Sequence, residues 1–210
     1  ITIEGGFRVG IAGTAVECKD GISTIKYINS LNIRISRELT GCADKVMKYV
    51  YGNTLIISPP GCGKTTILRD IIRQISNQGI NISVVDERCE ISGMYLGNIQ
   101  FDLGICTDVL CCYSKSIGMN MMLRSMGPKI IAVDEIGSDE DILAIHNLLN
   151  SGVKIIATIH CDTIENILQK PFIENIVKEK IFDSYIILNN NKKTGDLYKI
   201  YDKELNIVWQ

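Results

Sequence analysis

The sequence lacks long hydrophobic runs, and it lacks the cysteine spacing of a metal site. No apolar stretch approaches the roughly 20 residues of a membrane-spanning helix, and the N-terminal residues do not form a signal-peptide pattern. The 8 cysteines contain no C-x-x-C pair, and neither of the 2 histidines stands at a matching ligand spacing. These absences argue against a membrane-spanning segment and predict that the protein binds no zinc.

Excess charge and internal repeats are also missing. The formal net charge is −2, the pI is about 5.8, and basic residues do not alternate with aromatic ones. A specific nucleic-acid partner is therefore not expected, although a local basic patch is still compatible with this balance. The 210 residues, 46% of them hydrophobic, fit one large globular domain or a medium domain with a small appendage. Because the chain begins at Ile1 rather than at methionine, we expect it to be a fragment.

The most informative stretch is a glycine- and proline-rich loop between an apolar run and a helical pattern. The apolar run is Leu55-Ile56-Ile57, and residues 67–72 are apolar at helical spacing. Between them stand Ser58, Pro59, Pro60, Gly61, Cys62, Gly63, Lys64, Thr65 and Thr66. This order predicts a phosphate-binding loop (P-loop), in which backbone N–H groups at a helix N-terminus bind phosphate.

The residue types in this loop suit a nucleotide and its metal ion. Gly61 and Gly63 let the backbone curl without Cβ clashes. Lys64 is placed to reach the β- and γ-phosphates of ATP, and the Thr65 hydroxyl is placed to bind Mg²⁺. Ser58 replaces the first glycine of the strict pattern, while the Pro-Pro pair beside it resembles the loop of many ATPases. The alternative, a glycine turn before an ordinary helix, leaves the lysine and two threonines unexplained.

The cysteines are interpreted mainly as packing residues. They stand at positions 18, 42, 62, 89, 106, 111, 112 and 161. P-loop enzymes are usually cytosolic, where thiols stay reduced, and free cysteines commonly behave as small buried apolar residues. Cys62 is the exception, because it lies inside the P-loop and is expected to be open to alkylation.

A second strong signal is a buried strand that ends in two acidic residues. Residues 129–133 lead directly to Asp134 and Glu135. In a P-loop ATPase the first acid supports Mg²⁺, and the second orients and deprotonates the attacking water. Residues 153–160 predict another strand, ending at Thr158 and His160, where polar groups sense the γ-phosphate. Without the P-loop, Asp134 and Glu135 could be explained as acids that face solvent at a strand end. His160 could be explained in the same way as a hydrogen-bonded histidine at a strand end.

Alternating strand and helix patterns predict an α/β fold over residues 41–210. The order of motifs indicates a RecA-like P-loop ATPase core with a mainly parallel sheet and an added strand beside the P-loop. Helices are expected at 42–51, from the P-loop to about 76, at 115–126, at 139–150 and in short pieces around Pro171. Further strands are expected at 82–85 and 185–188, with a closing hairpin over 197–209. Residues 89–115 predict a long loop, and residues 189–196 a polar turn.

Residues 1–40 predict a small β-rich segment. Gly5-Gly6 and Lys19-Asp20-Gly21 are each flanked by strand-like residues, which indicates two hairpins, and Asn32–Ile35 predicts one more strand. The segment is either the remnant of a truncated N-terminal domain or a sheet packed onto the ATPase core. The arginines of this segment are either solvated strand charges or groups that reach a nucleotide across a domain cleft. They are Arg8, Arg34 and Arg37.

Several stretches resemble the ATPases of type II and type IV secretion systems. Leu123-Arg124, with the strand up to Glu135-Ile136, looks like that family's arginine-to-glutamate stretch, and Ala157–His160 is similar to its histidine box. Val85–Arg88 takes the place of its aspartate box with a different, RecA-like sequence. Nothing resembles an ABC transporter signature. Over nearly the whole chain, and most specifically over residues 101–137, the sequence resembles the sporulation branch of these ATPases.

This resemblance implies a biological setting as well as a fold. It implies a cytoplasmic motor ATPase on the mother-cell side, working with an integral-membrane channel between mother cell and forespore. It also implies a missing N-terminal portion and assembly of the chain with itself into a ring, expected to be a hexamer.

The combined expectation is an Mg²⁺-dependent ATP hydrolase. Lys64 neutralises phosphate charge, Thr65 and Asp134 hold the metal, and Glu135 activates water. Arg124 and one N-terminal arginine are expected to stabilise charge in the transition state, from the same chain or a neighbour. Two alternatives stay open: a RecA-like nucleic-acid translocase, and a nucleotide-gated scaffold without turnover.

Overall fold

The computed structural model describes residues 1–19, 21–169, 171–189 and 196–210. Its strands are β1 (Thr2–Ile3), β2 (Phe7–Cys18), β3 (Gly21–Arg34), β4 (Thr54–Ser58), β5 (Ile82–Asp86), β6 (Thr107–Cys111), β7 (Ile130–Val133), β8 (Lys154–His160), β9 (Ser184–Asn189), β10 (Asp196–Asp202) and β11 (Ile207–Trp209). Its α-helices are α1 (Lys64–Ser76), α2 (Lys115–Met126), α3 (Asp139–Asn150), α4 (Ile164–Ile167) and α5 (Pro171–Lys178). None of the helices in these parts of the chain is both long and apolar enough to span a membrane.

An eight-stranded sheet forms the core, in the order β11-β10-β9-β4-β8-β7-β5-β6. The six strands from β9 to β6 are parallel, and β10 and β11 extend the sheet antiparallel. The P-loop strand β4 lies between β8 and β9, so β8 is the added strand that separates it from β7. These observations confirm the predicted α/β fold with a mainly parallel sheet.

Helices cover both faces of this sheet, which explains why its central strands are uninterrupted apolar runs. On β4, Ile56 packs with the inward face of α1, including Leu68 and Ile72. Leu55 and Ile57 point to the other face, where they share a core with residues of α2, α3 and α5. Side chains alternate along a strand, so one short run of three residues serves two cores.

The helix ends follow local sequence signals. Ser138 precedes α3, and its side chain accepts a hydrogen bond from the Asp141 backbone N–H, while three acidic residues occupy the first turn. Gly127 ends α2 in the left-handed conformation, with φ of 57°. The predicted bounds of both helices, 115–126 and 139–150, are confirmed.

The N-terminal residues form a separate three-stranded antiparallel sheet. Thr2 pairs with Arg8 across the Gly5-Gly6 turn, and β2 pairs with β3 over nearly their whole length. Both predicted hairpins are confirmed, whereas the further strand at 32–35 is wrong as a separate element, because residues 32–34 continue β3. The predicted division into domains at residue 40 stays a prediction.

The remaining expectations for residues 42–209 have different outcomes. Residues 42–51 form turns and a 3₁₀ helix at Met47–Tyr49 rather than an α-helix. Ala43 and Val46 still face the core there, because a spacing of three also suits a 3₁₀ turn. The loop predicted at 89–115 contains the edge strand β6. The short helices near Pro171 and the closing hairpin are confirmed, and the polar turn at 189–196 lies mostly outside the described residues.

Candidate nucleotide-binding site

The P-loop joins β4 to α1 in a conformation that depends on two glycines. Gly61 and Gly63 have φ of 74° and 84°, the left-handed region that favours glycine. A Cβ on Gly61 would meet no atom within 4 Å, so backbone conformation rather than space requires glycine there. Helix α1 starts at Lys64 with Gly63 as its N-cap residue and no side-chain cap. Its first N–H groups are therefore available to an anion, in the field of the helix dipole.

Lys64 is the centre of the polar cluster beside this loop. Its Nζ donates a hydrogen bond to Glu135 Oε1 at 2.8 Å and lies 2.9 Å from His160 Nε2. His160 Nε2 is also 2.7 Å from the same Glu135 oxygen, so the three groups form a triangle. The Lys64 side chain is only 7% exposed. The parallel register, with Ser58 opposite His160, brings these distant residues to one edge of the sheet.

A second group of contacts joins the P-loop hydroxyl to the acid-ended strand. Thr65 Oγ1 donates to Asp134 Oδ2 at 2.6 Å, and Thr158 Oγ1 donates to the other Asp134 oxygen. The Thr158 hydroxyl also accepts the Glu135 backbone N–H at 2.9 Å. Thr158 thus fixes both acids from the added strand β8, and a hydroxyl and a carboxylate oxygen meet beside the P-loop. Oxygen ligands of this kind suit Mg²⁺.

Glu135 is held in an unusual state in both backbone and side chain. Its φ is 57°, in the left-handed region that few non-glycine residues adopt. Partial burial by itself raises the pKa of its carboxyl group, but the hydrogen bonds and charges of Lys64 and His160 outweigh burial and lower the pKa to about 2. Arg88 adds an ion pair at 3.2 Å. Glu135 is therefore ionised across the physiological range, as a group that accepts a proton must be.

The loop after β5 contributes charged groups that the sequence analysis did not assign. Arg88 pairs with Glu135, Glu87 pairs with Lys115 at 2.9 Å, and Glu90 pairs with Arg8. Buried Asp86 organises this loop, because its carboxylate accepts the backbone N–H groups of Glu90 and Ser92. The signal in the sequence that could have identified these residues is their position directly after a buried strand.

The N-terminal sheet contributes basic residues to the same region. Arg8 and Arg34 lie opposite each other on β2 and β3, and Glu90 lies between them, 3.9 Å from Arg34. Both arginines line an open cavity of about 800 Å³ together with residues of the P-loop, Glu135 and His160. Arg37 lines an adjoining cavity that also contains Thr65 and Thr66. Nucleotide-sized space therefore lies between the N-terminal sheet and the P-loop.

The structure brings together most, but not all, of the predicted site residues. The cavity lining includes Pro60, Gly61, Gly63, Lys64, Thr65, Thr66, Glu135 and His160. Ser58 is fully buried, with its hydroxyl donating to the Pro59 carbonyl. Arg124 lines a different cavity, between α2 and α3, and does not reach the P-loop of its own chain. Cys62 is 2% exposed, so the expectation that alkylating reagents reach it is wrong: its Sγ turns toward the Pro60 carbonyl.

The fold and the loop between β4 and α1 place the chain in a class by structure, the α/β proteins with a P-loop, and solved motor and ATPase structures share this fold. The chain is similar to the ATPase DotB of Legionella pneumophila, with a TM-score of 0.60 and 17% identity, over 86% of this chain and 53% of that one. It is also similar to the pilus retraction motor PilT in a structure with bound ADP, with a TM-score of 0.56 and 16% identity, over 87% of this chain and 58% of that one. At these identities the likeness shows the fold alone.

The chain belongs to the family described as "Sporulation stage III, protein AA", whose model matches residues 1–208. It is 39% identical to Stage III sporulation protein AA of Bacillus subtilis (strain 168) over 99% of this chain and 71% of that protein. The predicted sporulation branch is thereby confirmed. The chain spans a little more than half the length of these two solved proteins.

Proposed function

We propose that this protein is an Mg²⁺-dependent ATP hydrolase. The observation that carries the proposal is the joint placement of Lys64 Nζ on Glu135 Oε1 and of Thr65 Oγ1 on Asp134 Oδ2. Phosphate, metal and water are the three components of the reaction, and this arrangement offers one group for each of them beside a P-loop. A scaffold that only binds nucleotide would not need the carboxylate of Glu135 at this place.

Each side chain has one task in this mechanism. Lys64 exchanges its contact with Glu135 for the β- and γ-phosphates, and thereby neutralises charge on the transferred group. Thr65 and Asp134 would hold Mg²⁺, which would supply positive charge that offsets the negative charge developing in the transition state. Glu135, released from Lys64, orients the attacking water and accepts its proton. His160 lies within hydrogen-bond distance of both Lys64 and Glu135. Its contacts therefore change when Lys64 leaves Glu135 for the γ-phosphate, and in this way His160 senses that phosphate.

The wider proposal is a cytoplasmic ring motor on the mother-cell side of a membrane-embedded sporulation channel. Membership of the sporulation family and the fold shared with a pilus retraction motor support it. The ring, expected to be a hexamer of this chain, also gives Arg124 a function. Because Arg124 does not reach the P-loop of its own chain, we propose that it serves the site of a neighbour.

Turnover by the full-length protein tests the hydrolase proposal. We expect Lys64→Ala to lose tight nucleotide binding, and Glu135→Gln to retain ATP while its turnover falls at least about a hundredfold. The exposed residues Lys203 and Glu17 provide matched controls, Lys203→Ala and Glu17→Gln, which should behave as the parent. Parental turnover in Glu135→Gln would overturn the assignment of the base, and absence of turnover in the assembled parent would favour a scaffold.

The motor proposal is tested by capture of partners. Full-length Glu135→Gln protein, loaded with ATP, is used to pull down proteins from sporulating membranes, with Lys64→Ala as the control that cannot hold nucleotide. We expect a specific integral-membrane protein in the first sample only. Recovery of nucleic acid alone, or stimulation of turnover by DNA or RNA, would instead support a translocase.

A further inference from the structure

Arg69 is a buried charge that the proposed mechanism does not use. It lies on the second turn of α1, directly behind Thr65 and Thr66, and is only 5% exposed. None of the ion pairs among the described residues includes it. Burial lowers the pKa of its guanidinium, against the opposing charges of nearby carboxylates. A buried cation without a directly paired anion is costly, so its other contacts need an explanation.

Those contacts join three segments that are distant in sequence. Arg69 Nε donates to the Ile91 carbonyl at 2.8 Å, and Nη2 donates to the Glu90 carbonyl at 2.9 Å. Nη1 donates to the Arg37 carbonyl at 3.1 Å, in the segment that leaves the N-terminal sheet. One planar guanidinium thus fixes the backbone of two segments at the same time: the loop after β5 and the segment that follows β3.

Phe101 completes this junction on the side of the N-terminal sheet. Its ring lies 3.9 Å from the Arg69 guanidinium, in a cation–π contact. The same ring fills the space beside two glycines, since a Cβ on Gly6 or on Gly93 would come within 2.5 Å of ring atoms. Next to it, Gly5 N–H donates to the Gln100 side chain at 2.8 Å. The turn between β1 and β2 therefore rests on the residues that Arg69 holds.

The junction has a direct connection to the nucleotide site through Glu90. Arg69 fixes the backbone carbonyl of Glu90, and the Glu90 carboxylate holds Arg8 and lies near Arg34. Both arginines line the cavity beside the P-loop. Like charges opposite each other on paired strands repel, and the carboxylate between them offsets this. The position of these two arginines over the cavity consequently depends on where Arg69 places Glu90.

We propose that Arg69 is a positioning residue that couples the P-loop helix to the N-terminal sheet and holds Arg8 over the phosphate end of the nucleotide. The assignment rests on the proposed hydrolase function. The link between α1 and the N-terminal sheet then runs through the backbone carbonyls of Arg37 and Glu90 rather than through an ion pair of Arg69.

A double-mutant cycle between positions 69 and 8 separates this role from general stabilisation. Arg69→Lys keeps the charge but loses the planar fork. We expect kcat to fall about tenfold to a hundredfold, with little change in the affinity for a fluorescent ADP analogue. In an Arg8→Ala background the same substitution should change kcat by less than about twofold. Additive losses in kcat, or a loss confined to nucleotide affinity, would overturn the proposal.

Two further variants keep the test decisive. Arg73→Lys removes a fork from the same helix, where Arg73 binds Asp70, and should leave kcat near the parental value. If Arg69→Lys fails to fold, Glu90→Gln keeps the backbone carbonyl that Arg69 binds but removes the carboxylate that holds Arg8, and the same cycle with Arg8→Ala applies.

Hydrogen exchange tests the placement without any turnover. Amides of β2 and β3 near Arg8 and Arg34 should exchange faster in Arg69→Lys than in the parent or in Arg73→Lys. Unchanged exchange in that region would overturn the coupling, whatever the enzyme does. If exchange is faster in Arg69→Lys but the parent does not hydrolyse ATP, the proposed function is overturned. Arg69 then has only a structural coupling role.

Discussion

The charge state of Glu135 depends strongly on its neighbours. Burial opposes its charge, and yet Lys64 and His160 lower its pKa from the usual 4.5 to about 2. A carboxyl group with a lowered pKa stabilises the fold above its unfolded pKa, and this contribution is lost as the pH falls toward the folded value. The charge that Glu135 needs for its proposed role as a base therefore also contributes to stability at neutral pH.

This linkage gives a pH prediction for Glu135→Gln. The neutral amide cannot gain stability from the charge of Lys64, so the variant should be less stable than the parent above about pH 4.5. The difference in free energy of unfolding should shrink as the pH is lowered toward 2, because the parental carboxylate is then protonated. Urea titrations at several pH values measure it. Glu17→Gln controls for the loss of one exposed negative charge, and a difference that is constant with pH would contradict the prediction.

At the scale of single residues, the sequence was informative wherever a motif fixes the chemistry. The spacing from Gly61 to Thr65 predicted the loop, and the two acids that were singled out after a buried strand lie beside Lys64 and Thr65. Arg88 and Glu90 were not predicted as site residues, because their placement comes from the turn that Asp86 organises. The burial of Cys62 was missed for a similar reason, since loop position does not reveal which way a side chain turns.

At the scale of elements, the loop between β5 and β6 determines how the N-terminal sheet rests on the core. Gly93 lies in this loop with φ of 62°, and Phe101 occupies the space that a side chain would need. Gly97, four residues later, has φ of 80° but open space around it. The two positions thus share a backbone conformation and differ only in their surroundings.

This contrast predicts different costs for two similar substitutions. Gly97→Ala should lower the free energy of unfolding by about 1–2 kcal/mol, the cost of a left-handed residue with a Cβ. Gly93→Ala adds a clash with Phe101, so it should cost about 1–3 kcal/mol more. Chemical denaturation measures both values. Equal values for the two variants would mean that the loop moves aside freely and does not hold the N-terminal sheet.

The elements that sequence predicted well are those with a long, clear periodicity. Helices α2 and α3 have it, whereas the strands of the parallel sheet were predicted from uninterrupted apolar runs of strand length. Residues 42–51 show apolar residues three apart, which a 3₁₀ turn satisfies as well as an α-helix, and Gly41 and Gly52 leave little length for the latter. Strand β6 was missed because its five residues are half-buried at a sheet edge and alternate weakly.

At the scale of the whole molecule, the position of Arg124 makes a ring testable. It lines a cavity between α2 and α3, away from the P-loop of its own chain. If Arg124 serves a neighbouring site, Arg124→Ala and Glu135→Gln should each be nearly inactive alone. An arginine finger contributes roughly a thousandfold or more to the rate.

Mixing the two inactive variants shows whether Arg124 acts on the site of a neighbouring chain. In a mixed ring some sites have an intact Glu135 from one chain and an intact Arg124 from the next, so part of the turnover should return. The control mixes Lys64→Ala with Glu135→Gln, which both damage the same site and should restore nothing. Turnover that stays absent in the first mixture would show that Arg124 does not act across subunits.

The order of strands in the large sheet also has a consequence for how the protein is made. The P-loop strand β4 pairs with β8 and β9, and Ser58 lies opposite His160. During synthesis these partners emerge long after the P-loop itself, and contacts between distant parts of a chain form slowly. A nascent chain that ends before β8 therefore has a P-loop sequence without the strands that shape it. The nucleotide that we propose for this loop could therefore stabilise the fold only after nearly all of it has left the ribosome.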